Sequence, residues 1–504
     1  MNRRPIAIAL VAATAAAIGV YWLTDWPLGV RGEWTWDRIP HPPSLRGDSL
    51  LGICQGLLAA TAFVLVARTG GRLISRSGRF VAITRLACLS TLVAAGFLWL
   101  HILQESAPSG HGLSKAPWVV FYPGSSGYYF EARYRMDSIE EFLDSYENLL
   151  NDPDPARRTL HLGTHPPGLF LFHHAVLETC RQSAGLRRSL IAWQPGSVRQ
   201  ALDTISDADG RLGELDRAAL WLAALVTQLA AVATILPLYA LVRVDHSAKA
   251  AWRACVIWPL VPAVAIFLPK SDCLYPLLAT TAAWLWWSGV RKGGWWRPCL
   301  AGVTLWLGLF LSLAFLPVVA LGGGLAAWAR WRGTLPRRRL AGFAIGTLVG
   351  LAIPSFACWL AWGLNLPSTW WSNLANHAAF YDQPQHPRHY ISWLWTNPLE
   401  LVLAAGVPLA GLTVAGFFSR VRRGTPAEAG PAWICLIVWA ALWISGKNMG
   451  EAARLWLFLM PWGCWLAATV WQEIRTRDWV WLLALQAILA VATVSRVSGF
   501  HFAS

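Results

Sequence analysis

The sequence predicts an all-α polytopic membrane protein with about thirteen transmembrane helices and one large outer loop containing juxtamembrane helices. Three observations predict it. The chain of 504 residues is 55% hydrophobic and only 14% charged, against about 25% charged in soluble domains. Apolar runs of membrane-spanning length recur from end to end, and they are continuous rather than alternating, which argues against a transmembrane barrel. The basic residues behind the net charge of +15 sit in short segments between those runs, where they set orientation rather than form a nucleic-acid surface.

Taken in order, the spans fall near 5–23, 50–67, 82–102, 217–242, 254–269, 274–290, 299–313, 315–329, 340–362, 398–418, 431–446, 455–471 and 479–495. The first reads as a retained helix rather than a cleaved signal, because its apolar run is long and no small-residue cleavage site precedes Trp22. The seventh and eighth are separated by a tight outside turn near Leu316 and Pro317. With the N-terminus cytoplasmic in a plasma (inner) membrane, alternation places 68–79, 243–253, 291–297, 330–339, 419–423 and 472–478 inside, and nearly all are basic. The segments 24–49, 103–216, 269–272, 363–397 and 446–454 then lie outside. A full crossing at 161–180 would move every later basic loop outside, so "HPPGLFLFHHAVLETC" reads as a juxtamembrane or re-entrant helix. The stretches "DPDPARR" and "SDADGRLGELD" read as solvated loop. Nine cysteines are scattered singly with no CxxC pair, which supports neither a zinc ribbon nor a disulfide framework.

Ionisable groups at membrane depth are rare and tend to be functional, and here the candidates collect on the outer side. Lys270 and Asp272 occupy a hairpin tip. Glu451 and Arg454 lie at i, i+3 where a span begins, on one helix face. Asn376, His377, Asp382, His386, Arg388 and His389 crowd the stretch 376–390, and Glu131 and Asp137 follow "GYYF" in the large loop. Each also has a plain structural reading: a self-satisfying interfacial pair, a helix-capping ion pair, a solvated loop. Most of the 33 tryptophans read as interfacial belt, while Trp370, Trp371, Trp393 and Trp395 suit either a belt or a ligand surface.

The stretch "HLGTHPPGLFLFHHA" (161–175) admits three readings: metal site, plain turn, or start of a substrate-site helix. His161 and His165 at i, i+4 suggest a metal, but the residue before a proline avoids helical geometry and no HExxH acid is present. Pro166 and Pro167 read instead as a helix start. The amides that follow, at Gly168 onward, suit an anion such as a phosphate. No metal ligand is assigned.

The order of these features resembles the GT-C class of integral membrane glycosyltransferases. A long outer loop follows an early span and carries "GYYFEA", then about 30 residues later "THPPG" and a short apolar helix. Later come "PKSD" and "GEAARLW". The likeness spans residues 82–300 and, more loosely, 365–460. It implies an N-terminal two-helix addition (1–81), a core with the external loop (82–330) and a C-terminal set of helices (331–504). It also implies sugar transfer from a polyprenyl-phosphate donor to a lipid or cell-envelope glycan acceptor at the outer face, with a carboxylate as base and, in some members, a divalent metal. Residues 123–127 read PGSSG, so the acid expected ahead of "GYY" is absent. Asp137 and then Glu131 stand in as catalytic carboxylates, with Glu33 and Asp37 as a second option. His165, Pro166, Pro167 and Gly168 would shape the phosphate pocket, Lys270, Arg388 and Arg454 supply cations, and Asp272, His377 and Glu451 complete the substrate surface. The residues by themselves specify no cofactor. Two other classes fit the same composition: a transporter or flippase for lipid-linked sugar, and an inactive glycolipid-binding relative.

Overall fold

The computed structural model describes residues 3–40, 46–75, 81–151, 161–381 and 388–500, and these are almost entirely helical. A two-residue antiparallel pairing, Gly29–Val30 with Trp34–Thr35, is the one named sheet among them. Helices dominate because an apolar chain that lacks water as a partner must satisfy its own backbone. Six described helices are long and apolar enough to cross a membrane: Gly47–Leu73, Ala82–Glu105, Glu214–Val242, Leu313–Trp331, Arg337–Trp362 and Thr476–Val494. The bent pair Tyr390–Ala405 and Val407–Arg422 makes a seventh if counted as one span.

Several predicted spans, 455–471 among them, are not single rods. The run 254–269 divides into Ala248–Val256, a 3-10 turn Trp258–Leu260 and Pro262–Phe267, because Pro259 and Pro262 each remove a backbone donor. The run 398–418 breaks by 107° between Tyr390–Ala405 and Val407–Arg422. Gly406 makes that corner at φ +86°, and a Cβ there would meet Gln486 Nε2 at 2.2 Å. Gln486 fills the corner, donating to the carbonyls of Ala405 at 2.7 Å and Leu260 at 3.2 Å. The predicted outer loop 363–397 is also largely helix, holding Leu366–Tyr381 and the start of Tyr390–Ala405.

The segment 103–216 builds a core of its own. Tyr129, Leu177, Cys180, Val198 and Leu202 bury against Ala218, Leu220 and Trp221 of the Glu214–Ala233 helix. Asp216, inside the stretch read as solvated, is in fact 1% exposed. Its Oδ1 accepts from Tyr129 Oη at 2.8 Å and Arg133 Nε at 2.7 Å, and its Oδ2 accepts from Gly213 N at 3.1 Å. It thereby caps one helix and ties the Tyr128–Tyr134 helix to it. The companion stretch "DPDPARR" lies outside the described residues.

Contacts gather the loops at two ends. At one end Arg38 donates to the carbonyls of Val20, Tyr21, Thr24 and Trp26, and Arg496 donates to Ile39 O. There Lys115 reaches Ile266 O and Ser498 O, Lys270 reaches Ser125 O, and Asn376 reaches Leu150 O. This is the loop end. At the other end Trp252 donates to Ala67 O, Arg253 to Trp471 O and Ile474 O, Arg420 meets His246, and Arg291 pairs with Asp245. This basic end unites segments predicted to share a side.

The helix expected after Pro166 and Pro167 runs Gly168–Gln182. Pro166, Pro167, Gly168 and Leu169 are all buried, so protein packs over the helix start. At Gly168 it is the backbone of Phe310: a Cβ on Gly168 would lie 2.4 Å from its carbonyl oxygen. Backbone cannot yield as a side-chain tip does, so Gly168→Ala is expected to cost about 1–3 kcal/mol. Gly185→Ala, with nothing within 4 Å, is expected to be neutral or stabilising by up to about 1 kcal/mol. Thermal unfolding of the two variants checks the contrast, and equal midpoints would refute the close approach.

Lys115 is 2% exposed, and its amine holds the chain end to the Pro262–Phe267 helix through Ile266 O at 2.7 Å and Ser498 O at 2.8 Å. Burial pushes its pKa from 10.5 down to about 7. Between those values the unfolded chain binds the proton and the fold does not, so this group adds stability as pH rises from about 7 to about 10. The thermal midpoint of Lys115→Met is therefore expected to depend less on pH over that window than the native midpoint. Parallel curves would count against a neutral buried amine.

Candidate functional site

At the loop end a buried charged cluster forms around Arg454. Its Nη2 donates to Glu451 Oε2 at 2.7 Å, and its Nε lies 3.6 Å from Asp272 Oδ2. Sequence spacing places Glu451 and Arg454 on one turn, at the start of Ala452–Leu455. Only the fold brings Asp272, from the turn Ser271–Leu274, against them. Glu451 sits at φ +57°, the one non-glycine in the left-handed region among the described residues. Such a backbone costs on the order of 1–3 kcal/mol and persists where surrounding contacts enforce it, often at functional sites.

Lys270 is 4% exposed and donates to Ser125 O. Burial, with Arg454 adding to it, pushes its pKa down to about 7, against the pull of Asp272 and Glu451. Burial raises the Asp272 carboxyl above the usual range, although Arg454 and Lys270 pull the other way. Tyr128 belongs to the same surroundings: burial raises its phenol, and Tyr275 and Asp272 add to the effect. Its ring meets His165 edge-on at 5.7 Å and Phe170 at 5.2 Å.

The His165 turn is held by its backbone. Asn373 donates to Gly163 O and His165 O, Asn376 donates to Gly163 O, and Tyr146 Oη donates to His165 O. The His165 ring lies 3.1 Å from Thr164 Oγ1 through Nδ1. A small cavity behind the cluster is lined by Ser126, Tyr128, His173, Thr227, Lys270 and Ser271. Its volume of about 10 Å³ matches about one water, so a substrate must reach the cluster elsewhere. Glu451, whose side chain is 30% exposed, is its most open member. His173 is 5% exposed with Nδ1 unpartnered, and burial pushes its pKa down to about 3.

The other predicted residues fall elsewhere. Asp137 is exposed just ahead of the Ile139–Asp144 helix. Glu131 is buried and pairs with Arg135 at 2.6 Å. Glu33 belongs to a latch: its carboxylate takes His389 N at 2.9 Å, Trp393 Nε1 at 2.7 Å and His389 Nδ1 at 2.6 Å. Burial pushes the Glu33 carboxyl up, but the bonds from His389 and Trp393 outweigh it and hold it below the usual range. Arg388 braces the latch by donating to Glu33 O at 2.9 Å and Met449 O at 3.0 Å. His377 is half-buried on Leu366–Tyr381, with its pKa lowered by burial and by Lys447. Asp382 and His386 lie outside the described residues.

Sequence reading passed over Glu400, which is 5% exposed and accepts from Trp36 Nε1 at 2.9 Å and Ala453 N at 3.2 Å. It reaches the turn that carries Arg454. The signal was available, because Glu400 is an acid inside a predicted apolar span. No donor set for a divalent metal is built here. Among the described residues no three His, Cys, Asp or Glu side chains converge. The Asp272 and Glu451 carboxylates are instead bridged by the Arg454 guanidinium. No protein-family model matches the chain, and no curated protein matches it either.

Proposed function

We propose that this chain is a glycosyltransferase that moves a sugar from a polyprenyl-phosphate donor to a lipid or cell-envelope glycan acceptor. In this reading it lies in the plasma membrane with its N-terminus cytoplasmic and its loop end outward, and crosses about thirteen times. The gathering of the basic segments at one end supports that orientation. In this reading the shorter apolar helices Ala7–Leu23, Trp296–Leu311 and Glu428–Ile444 are among the further crossings.

The observation that carries the function is the Arg454 cluster, with two carboxylates and a second cation on loops that flank the His165 turn. In the reaction the acceptor hydroxyl oxygen forms a bond to the anomeric carbon, and its proton passes to a carboxylate. The bond from that carbon to the donor phosphate breaks, and the electron pair leaves on the phosphate oxygen. Arg454 and Lys270 answer the charge there. Asp272 is our choice of base, since burial raises its carboxyl and its contact with Arg454 is long at 3.6 Å, whereas Glu131 is tightly paired with Arg135 at 2.6 Å and Asp137 stands exposed. The donor approaches over Glu451.

Transfer of radiolabelled sugar from a lipid-linked donor by the purified protein tests the reading. Label recovered in acceptor supports it, and label that stays on the polyprenyl phosphate overturns it. A second reading, translocation of the same lipid, draws on the broken pair at Gly406 and the buried Glu400 nearby. Label that changes leaflet without changing carrier would favour it.

A further inference from the structure

At the basic end, at the opposite end of the Tyr275–Lys292 helix from Asp272 and the Arg454 cluster, a cleft opens where that helix ends beside the Leu316–Trp331 helix. Arg291, Arg332 and Thr334 line it, together with Trp287 and Trp328. Its volume of about 50 Å³ is several times what one water requires. That suits a compact tetrahedral anion better than a sugar.

The charges in the cleft are prearranged. Arg332 lies over the rings of Trp328 at 5.1 Å and Trp331 at 4.6 Å, and Arg291 over Trp287 at 5.8 Å. Stacking on an indole fixes the plane of a guanidinium while leaving its edge for an oxyanion. Asp245 engages Arg291 through Nε at 3.1 Å and also accepts from Trp287 Nε1. Among the described residues of 291–297 and 330–339, Arg291 is the only basic side chain with a carboxylate partner. Arg332, which lines the cleft, has no carboxylate partner among the described residues.

The surroundings identify the source of the anion. The Trp296–Leu311 and Arg337–Trp362 helices start beside the cleft and carry exposed Leu300, Val303, Ile345 and Leu348 away from it. Trp331, at 70% exposure and under the Arg332 guanidinium, stands beside the cleft, and Trp295 at 74% exposure precedes the Trp296–Leu311 helix; both are exposed as indoles are at a membrane interface. A charged pocket that opens onto an apolar wall fits a headgroup with its acyl chains.

We propose that this cleft binds a phosphate-bearing anion, supplied by the headgroup of an anionic phospholipid, between Arg332 and Arg291. The test uses the full chain purified in detergent, with phosphatidylglycerol, phosphatidylcholine and inorganic phosphate as separate probes, read by native mass spectrometry and thermal shift. Phosphatidylglycerol is expected to bind and phosphatidylcholine not, and Arg332→Gln is expected to weaken the bound lipid about tenfold, the loss of one charge-assisted pair. Arg291→Gln provides a second variant, and Arg475→Gln, a basic residue outside the cleft, is expected to bind as the native chain does. Protection by inorganic phosphate that Arg332→Gln abolishes supports the same cleft with a free phosphate as source. Undiminished lipid binding in both cleft variants, or an equal loss in Arg475→Gln, would show only diffuse basic attraction and overturn the proposal.

Discussion

Replacing Asp272 by asparagine is expected to lower sugar transfer from a polyprenyl-phosphate donor by about 10²-fold or more, the usual contribution of a positioned general base. The substitution keeps the shape of the side chain. It removes the carboxylate that lies 3.6 Å from Arg454 Nε, and with it the proposed acceptor for the hydroxyl proton. Burial already raises the Asp272 carboxyl, which brings its basicity closer to that needed near neutral pH. Glu131→Gln and Asp137→Asn are expected to have smaller effects, since one side chain is engaged by Arg135 and the other is exposed. Rates are measured in membranes with matched protein levels, and Arg454→Lys is included to separate charge from geometry. A lysine keeps the charge but cannot bridge Glu451 and Asp272 as a planar fork does. If Asp137→Asn abolished transfer while Asp272→Asn retained it, the base would lie in the large loop and the assignment of Asp272 would fall.

Asp216→Ala is expected to destabilise the 103–216 assembly by about 3–5 kcal/mol. Its carboxylate is 1% exposed and joins Arg133, Tyr129 and the Gly213 amide. Truncation strands a guanidinium and a phenol against a packed core, and it is the stranded partners that make the loss large. It also removes a negative charge from the first turn of Glu214–Ala233, where the helix dipole favours one. Tyr129→Phe, which deletes one neutral donor, is expected to cost about 1 kcal/mol. Limited proteolysis within 103–216, alongside the thermal midpoint, distinguishes the two. A native cleavage rate in Asp216→Ala would show that the assembly is held by its apolar core alone. Because the Tyr128–Tyr134 helix hangs from Asp216 and carries Tyr128 beside the Arg454 cluster, the variant should also weaken donor binding.

Much of the architecture is legible in the sequence because a membrane leaves few choices. A run such as 82–102 is apolar throughout, and a backbone deprived of water closes on itself as a helix. Charge between runs is the sequence's signal for which segments share a side, and in the fold contacts gather 243–253, 291–297, 419–423 and 472–478 at one end. Local stereochemistry was legible too: Pro166 and Pro167 mark the start of Gly168–Gln182, and the split ahead of Leu316 is present. What failed was straightness. Pro259, Pro262 and Gly406 break two apolar runs that hydropathy alone joins.

The site divides along the same line. Sequence spacing by itself determined that Glu451 and Arg454 share a turn, that Lys270 and Asp272 share another, and that the His165 turn precedes a helix. Each is a relation within a few residues, set by helix period and proline stereochemistry. Only the tertiary structure decided that Asp272 meets Arg454, that Glu400 reaches Ala453 N, that Asp216 is a buried anchor, and that Gly168 packs against the Phe310 backbone. The physical reason is that a carboxylate carries the same composition signal whether water or a guanidinium surrounds it. Which of the two it meets depends on how distant segments pack, and no local spacing encodes that.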